Sequence, residues 1–190
     1  MSTNTKAPVL VKDELLDGRG TKFGKTVIDR YFQMPNGKVI PILCITTSGV
    51  EPVIVFAISD EGKIFLIRQF RFGTNDWMIE LPGGCKKPGQ SYEDTARAEL
   101  LEETGVEATK IEIIGRPLAF NPALEDAKVI AAVATGCKVV GDQSLEDMET
   151  ATVLEVTVAE FRRMAKTGEI GDAKTVAIGY LALDHLGFLG

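Results

Sequence analysis

The sequence predicts an α+β fold, a sandwich of strands and helices, with a small β module at its N-terminal end. Strand-like runs dominate the order of elements, with one helix in the middle and two at the end. A doubly wound parallel sheet would need regular alternation of strand and helix, and that pattern is absent. The 190 residues include 45% hydrophobic ones, which is enough for a full core. We predict a β module over residues 1–47 and a main domain over residues 48–190.

Strands make up the predicted N-terminal half, after a frayed polar start at residues 1–10. The first two flank a turn at residues 34–37, where Asn36-Gly37 favours positive φ. The next two are joined by Asp60-Glu61-Gly62, which is a hairpin signal. The last one ends in Pro82-Gly83-Gly84. These predicted strands cover residues 25–33, 38–46, 52–59, 63–71 and 77–81.

The predicted C-terminal half begins with a helix whose two ends are both signalled. Ser91 and Asp94 form a capping box at its start, and Gly105 ends it, so we predict a helix over residues 91–104. Further strands are predicted near residues 110–119, 128–140 and 151–158, and two helices near residues 159–167 and 172–186.

Composition and charge exclude several classes of function. With 21 basic and 27 acidic residues the net charge is −6, which argues against non-specific binding to nucleic acid or to anionic membranes. His185 is the one histidine, so a His-rich zinc site is excluded and a Ser-His-Asp triad is disfavoured. Catalysis would therefore depend on carboxylates, cysteines, lysines or a metal held by oxygen.

The cysteines and the hydrophobic runs predict a cytoplasmic protein. Cys44, Cys85 and Cys137 form no Cys-x-x-Cys pair, and we expect reduced thiols. No apolar run has the length of a signal peptide, and none reaches the roughly 20 residues that span a bilayer. We therefore expect no membrane partner.

Three carboxylates share one side of the predicted middle helix. At about 100° per residue, Glu99, Glu102 and Glu103 fall within an arc of about 100°, and Arg97 lies outside it. No lysine or arginine of this helix can neutralise them, and like charges at these spacings cost roughly a few tenths of a kcal/mol each. Carboxylate oxygens select Mg²⁺, Mn²⁺ or Ca²⁺. A solvated acidic face is the alternative, but the preceding Gly-Gly loop favours the close approach of a ligand.

Residues 84–106 resemble the Nudix box, G-x5-E-x7-R-E-U-x-E-E-x-G-U, in which U is a bulky aliphatic residue. Gly84 takes the first glycine, and residues 99–106 (ELLEETGV) match the end of the box without a gap. The flanking segments resemble the ADP-ribose pyrophosphatase branch of this family, and the likeness covers residues 25–187. These flanking segments are residues 68–71 (RQFR), 77–84 (WMIELPGG) and 168–175 (GEIGDAKT).

The resemblance implies an α/β/α sandwich of mixed sheets. It also implies an enzyme that hydrolyses the pyrophosphate bond of a nucleoside diphosphate linked to a sugar, with Mg²⁺ or Mn²⁺ as cofactor. By position, the metal ligands would be Glu99, Glu102, Glu103 and the carbonyl of Gly83. Such an ion polarises phosphoryl oxygens and lowers the pKa of bound water. A glutamate from a later loop is the base in this branch. The acidic loop at residues 144–149 has that place here.

Within this loop Glu149 is favoured over Glu146 as the base, although a plain solvated turn is the alternative. Arg71 fits a cation that contacts the diphosphate, or else a surface residue at a strand end. Glu80 would support or contact the substrate, or cap its strand. Arg68, in the same motif as Arg71, and Phe120 complete the substrate-binding candidates.

Two residues depart from the Nudix box. Gln90 and Ala98 stand where the box has glutamate and arginine, and Arg97 comes one position early, which turns it about 100° away. Because the two charges are lost together, no orphan charge remains and the fold is expected to survive. A third departure is at residues 40–43 (IPIL), where the branch carries an Arg-Glu pair after the Pro-x-Gly turn.

Two functions other than hydrolysis of a nucleoside diphosphate sugar stay open. The first function is hydrolysis of other substrates, such as nucleoside triphosphates or dinucleoside polyphosphates. The second is a nucleotide-sensing or regulatory module with weak or lost turnover, which the departures favour and the three intact glutamates oppose. Many relatives form homodimers that exchange the N-terminal β module, which residues 25–46 would provide here.

Overall fold

The computed structural model describes residues 9–17, 24–47, 51–145 and 150–189. Clustering of its contacts divides the chain into two units, each continuous in space although not in sequence. The first unit consists of Met1–Val50 and Asn121–Ala127, and the second of Glu51–Phe120 and Lys128–Gly190. The strands are β1 (Val9–Asp17), β2 (Thr26–Gln33), β3 (Val39–Thr46), β4 (Pro52–Ile58), β5 (Lys63–Arg71), β6 (Asp76–Glu80), β7 (Gly83–Cys85), β8 (Val106–Glu107), β9 (Lys110–Leu118), β10 (Val129–Thr135), β11 (Lys138–Val139) and β12 (Ala151–Thr157). The helices are α1 (Tyr92–Thr104), α2 (Val158–Thr167) and α3 (Ala173–His185).

All three predicted helices are confirmed, whereas the strand predictions are wrong in three places. The predicted frayed start at residues 1–10 is wrong at Val9 and Leu10, which begin β1. The predicted strand at residues 128–140 is interrupted at Gly136, whose φ of 63° breaks it into β10 and β11. The short strands β7 and β8 were not predicted, because two or three residues are too few for a periodic signal.

The first unit is built on an antiparallel sheet in the order β1-β2-β3. The loop Asn121–Ala127 joins this sheet although it lies far along the chain. The N–H of Ile45 donates to the carbonyl of Leu124 at 2.8 Å. Asp126 accepts from the N–H of Thr47 at 3.0 Å and from Arg30 at 3.3 Å. These bonds anchor the loop, and no local sequence pattern predicts them.

The second unit contains a mixed sheet in the order β12-β5-β4-β10-β9. β4 and β10 run parallel, and the other neighbours run antiparallel. β4 and β5 pair only over Ala57–Ile58 and Ile64–Phe65, because they diverge beyond these residues. Past that point β5 pairs with β6 and β4 pairs with β7. The turn that links β6 to β7 leads directly into Gly83 and Gly84, the first two residues of β7. This segment, the Gly83–Gly84 turn, therefore lies beside the middle of the sheet.

Helices cover both faces of this sheet, which confirms the predicted α+β sandwich. β4 alternates between two clusters, as a strand buried on both sides must. Val53, Val55 and Ala57 pack with Ala96 and Leu100 of α1. On the other face, Ile54, Phe56 and Ile58 pack with side chains of α2 and α3, among them Phe161, Met164, Ile178 and Leu183. The carboxylates of α1 are thus carried on one defined face.

We predict that Gly179→Ala destabilises the fold at the contact between α2 and α3. A Cβ at this position would lie 2.1 Å from Cζ of the fully buried Phe161 ring. The gain in helix propensity is about 1 kcal/mol, and the clash costs more, so we expect the free energy of unfolding to fall by about 2 kcal/mol. Urea denaturation measures it. Gly73→Ala, where an added Cβ meets no atom within 4 Å, is the control, and an equal effect of the two changes would contradict the prediction.

Candidate active site

The acidic helix α1 is fixed at both ends as predicted. The Ser91 hydroxyl accepts from the N–H of Asp94 at 3.0 Å, and the Asp94 carboxylate accepts from the N–H of Ser91, which completes the capping box. Gly105 ends the helix with a φ of 67°, a left-handed conformation that suits glycine. These two caps fix which residues of α1 lie opposite the Gly83–Gly84 turn.

Glu103 is the buried carboxylate of α1, with 4% of its surface exposed. Its Oε2 accepts a hydrogen bond of 2.7 Å from the N–H of Gly83. Gly83 is required here because a Cβ would lie 2.1 Å from the carbonyl oxygen of Val53. The turn can therefore approach β4 closely enough to present its N–H to Glu103.

Glu99 lies against the other glycine of the turn. A Cβ on Gly84 would be 2.5 Å from the carboxyl carbon and from both carboxylate oxygens of Glu99. Because of this close approach, the first glycine of the box is a space requirement. The structure thus brings Glu99, Glu103 and Gly83 together at one turn, and their role as metal ligands stays a prediction.

Glu102 is half-buried in the same turn of α1, and its carbonyl accepts from the N–H of Ser144 at 2.8 Å. Gln143 donates through Nε2 to the carbonyl of Glu103. The loop after β11 therefore begins at the carboxyl end of α1. Glu146 and Glu149, the two candidates for the base, lie outside the described residues.

Arg71 and Glu80 form a bidentate ion pair between neighbouring strands. Nε and one terminal nitrogen of Arg71 each donate to a carboxylate oxygen of Glu80 at 2.7 Å. Glu80 is 3% exposed, and the Arg71 side chain keeps 43% of its surface in solvent. The hydrogen bond to Glu80 raises the pKa of Arg71 first of all, and the charges of Glu103 and Asp172 raise it further. An arginine of β5 therefore supplies part of the counter-charge that no residue of α1 provides.

The N-terminus of α3 holds the Gly83–Gly84 turn from the other side. The buried hydroxyl of Thr175 accepts from the N–H of Leu81 at 2.9 Å and donates to Asp172 at 2.8 Å. Asp172 is the N-cap of α3 and also pairs with Lys174 at 3.2 Å. Sequence reasoning gave these residues no role, although an aspartate three residues before a threonine is a capping signal.

Arg68 and Phe120 are not brought to the carboxylates of α1. Arg68 lies on the opposite face of β5 from Arg71, with its guanidinium 4.7 Å from the centroid of the Trp77 ring. Phe120 is half-buried and packs against the cluster on the side of α2 and α3. A contact of either residue with substrate stays a prediction.

At the departures from the Nudix box, Gln90 and Arg97 make local hydrogen bonds. Oε1 of Gln90 accepts from the N–H of Lys87 at 3.2 Å and from the Thr95 hydroxyl at 3.4 Å. Arg97 donates to the carbonyl of Ala108 at 2.9 Å, so it is turned away from the acids as predicted. Ala98 is half-buried. Arg97 therefore does not replace the arginine that the box has at position 98.

The NUDIX domain matches residues 50–177, and the chain belongs to the Nudix family. It is 34% identical over 181 residues to an ADP-ribose pyrophosphatase of Bacillus subtilis (strain 168), which covers 92% of this chain and 91% of that protein. It is 32% identical over 155 residues to a methanol dehydrogenase activator of Bacillus methanolicus, with 80% and 82% covered. A crystal structure of an ADP compounds hydrolase matches with a TM-score of 0.84 at 22% identity, over 100% of this chain and 99% of that one. These findings confirm the predicted family, and the last of them shows the fold alone.

Nudix hydrolases in general use divalent metals, and the donor atoms at the Gly83–Gly84 turn fit such an ion. Glu99 and Glu103 supply hard carboxylate oxygens at one turn, and glycine at position 84 leaves room for the carboxylate of Glu99. Within the described ranges, no three histidine, cysteine, aspartate or glutamate side chains form a ready-made metal cluster. The ligand set that includes Glu102 therefore stays a prediction.

None of the helices in the described ranges has both the length and the apolar character that a membrane span requires.

We predict that Gly84→Ala weakens metal binding and leaves the fold intact. The added Cβ would displace the carboxylate of Glu99, which can rotate away because it is the end of a flexible side chain. We expect at least about a tenfold loss of Mn²⁺ affinity in calorimetry, on the scale of one lost charged contact, with little change in the melting temperature of the metal-free protein. Gly141→Ala, which meets no atom within 4 Å, is the control. Unchanged affinity in Gly84→Ala would show that Glu99 is not a ligand.

Proposed function

We propose that this protein hydrolyses the pyrophosphate bond of ADP-ribose or a related nucleoside diphosphate sugar and releases a mononucleotide and a sugar phosphate. The observation that carries the proposal is the placement of Glu99 and Glu103 at the Gly83–Gly84 turn, with Arg71 in the field of Glu103. Carboxylates for a divalent ion and an arginine for a diphosphate thus belong to one site. The similarity to ADP-ribose pyrophosphatases over most of the chain supports this substrate class.

Glu99, Glu103, Glu102 and the carbonyl of Gly83 would hold Mg²⁺ or Mn²⁺ in this proposal. The bound ion would neutralise the charge of the diphosphate oxygens and acidify water. The N–H of Gly83 holds the carboxylate of Glu103 in place before any ligand arrives. This hydrogen bond reduces the rearrangement that binding requires.

Arg71 would bind the diphosphate through the exposed part of its guanidinium. Glu80 is then a residue that orients Arg71, because its buried carboxylate fixes two of the N–H groups. Among the roles that the sequence leaves open for Glu80, this is the supporting one, and the low exposure of Glu80 favours it. A planar guanidinium held by one carboxylate keeps its remaining N–H groups in a fixed direction.

A glutamate of the acidic loop would take the proton of the attacking water, and we favour Glu149 over Glu146. The structure describes the residues at both ends of this loop, and their contacts support the proposal. Ser144 is bonded to Glu102 on α1, and Ala151 pairs with Gln69 on β5, two residues from Arg71. The two described ends of the loop are therefore held to α1 and to β5.

We also propose a homodimer in the cytoplasm. The three-stranded sheet of the first unit exposes many large aliphatic side chains, which is typical of a surface that another chain covers. These residues are Val9, Leu10, Val11, Leu15, Leu16, Val39, Ile42 and Leu43. The thiols of Cys44, Cys85 and Cys137 fit a reducing compartment.

A nucleotide-binding or regulatory protein with weak turnover is the second candidate. Gln90 and Ala98 favour it, since neither residue carries the charge that the box has at its position. One relative is a methanol dehydrogenase activator, a name that describes an effect on another protein. The carboxylates at the Gly83–Gly84 turn favour the hydrolase, because a site without turnover has no need of a carboxylate held in place there.

We predict that the protein hydrolyses ADP-ribose with Mg²⁺ or Mn²⁺ and that Glu103→Gln lowers turnover at least about a hundredfold. The change removes a negative charge from the metal site, and one such electrostatic contact acts on this scale. A panel of ADP-ribose, GDP-mannose, UDP-glucose, NADH and ATP, assayed for released mononucleotide, measures the activity. The melting temperature without metal should be unchanged or slightly higher, because a buried charge is removed.

Glu107→Gln, at an exposed position just after α1, is the control for the loss of one carboxylate. If Glu103→Gln were as active as the unchanged protein, Glu103 would not be a metal ligand. If no substrate of the panel were hydrolysed and calorimetry showed nucleotide binding, the regulatory candidate would replace the hydrolase.

We predict that restoring both charges of the box, with Gln90→Glu and Ala98→Arg together, raises metal affinity. Glutamate at position 90 keeps the acceptor oxygen that Lys87 and Thr95 use, and arginine at position 98 lies one helical turn from Glu102. Calorimetric titration with Mn²⁺ measures the change. Ala98→Arg alone separates the effect of the arginine from that of the pair. Equal affinity in the double variant and the unchanged protein would mean that other groups already replace the lost charges.

A further inference from the structure

Gln69 carries a buried polar atom that no hydrogen bond among the described residues uses. Only 5% of the residue is exposed, and within the described parts of the chain its Oε1 is buried without a hydrogen-bond partner. A buried amide oxygen without a partner destabilises a fold, and native structures contain few of them. Such an atom calls for an explanation from function.

The position of Gln69 on β5 places it on the same face of the sheet as Arg71. Phe65 of β5 packs with the cluster under α1, and Leu66 packs with the opposite cluster. Since side chains alternate along a strand, Gln69 and Arg71 lie on the α1 face with Phe65. The cross-strand neighbours of Gln69 are Met78 on β6 and Ala151 on β12, where the acidic loop ends.

The neighbours of Gln69 on this face of β5 show why a structural role does not account for its amide group. The preceding residues on this side of β5, Phe65 and Ile67, are apolar and buried. An unbranched apolar side chain of similar length at position 69 would continue this row and would remove the unpartnered oxygen. The fold alone therefore favours such a residue over glutamine at this position.

We propose that Gln69 is a binding residue of the active site, whose amide oxygen accepts a hydrogen bond from an O–H group of the bound substrate complex. The inference rests on the proposed hydrolase function and adds a specificity residue to it. An amide oxygen accepts and cannot donate, and phosphate oxygens also accept, so its partner is not the diphosphate itself. The donor is a water molecule around the divalent ion or a hydroxyl group of the sugar.

The test is Gln69→Met, which keeps the length of the side chain and removes both polar atoms. Without ligand, the melting temperature should stay the same or rise by about 2 to 4 °C, because an unpartnered oxygen is lost. For ADP-ribose with saturating Mg²⁺, kcat/KM should fall about tenfold or more, the size of one buried hydrogen bond. Leu154→Met, on the opposite face of β12, is the control for packing and should keep full activity.

Binding measurements distinguish the two sources of the O–H group. If the donor is a water of the ion, Gln69→Met weakens the binding of Mg²⁺–ADP and of a non-hydrolysable ADP-ribose analogue by the same factor. If the donor is a hydroxyl of the terminal sugar, only the analogue binds more weakly.

Unchanged kcat/KM and unchanged binding in Gln69→Met would overturn the inference. A lower melting temperature would overturn it as well, since it would show that the amide supports the fold. Failure of the proposed hydrolysis is separate, because it would show as absence of turnover in the unchanged protein. The calorimetric comparison of the two proteins with Mg²⁺–ADP and with the analogue would then still decide the role of Gln69.

Discussion

The hydrogen bond from the N–H of Gly83 to the carboxylate of Glu103 is the interaction on which the site depends. It ties the acidic helix α1 to the turn between β6 and β7, at the place where β4 and β5 diverge. The two glycines of this turn meet different demands. Gly83 lets the backbone approach Val53, and Gly84 leaves space for Glu99. The backbone of this turn and the space at Gly84 therefore both contribute to the position of the carboxylates.

The charge balance of the site follows from the register of β5 and β6. Arg71 opposes Asp76 in the ladder and Glu80 opposes Ile67, so the ion pair between Arg71 and Glu80 runs diagonally along the hairpin. Burial of Glu80 makes its pairing with arginine necessary, and the partly exposed arginine is left in the field of Glu103. The buried carboxylate of Glu80 thus holds Arg71 where the charge of Glu103 acts on it.

The helices and the acidic cluster could be predicted because their signals are local. Ser91 and Gly105 mark the ends of α1, and the spacing of Glu99 and Glu103 places them on one side of it. The role of Glu80 required the strand register, which depends on contacts between segments. β1 was missed because Lys12, Asp13 and Glu14 interrupt its aliphatic residues, and because its partner β2 is what makes it a strand. The attachment of the loop Asn121–Ala127 to the first unit likewise depends on distant residues.

The departures from the Nudix box are compatible with an ordered acidic cluster for the same physical reason. In the box, an arginine next to the first helical glutamate of the cluster helps to orient the acids. Here the start of α1 is held by its capping box and by the bonds of Gln90 to Lys87 and Thr95. The acids are held from the opposite side, by the turn at Gly83 and Gly84. Because backbone geometry does not depend on a charge partner, the loss of the Glu–Arg pair changes the electrostatic potential at the site more than its shape.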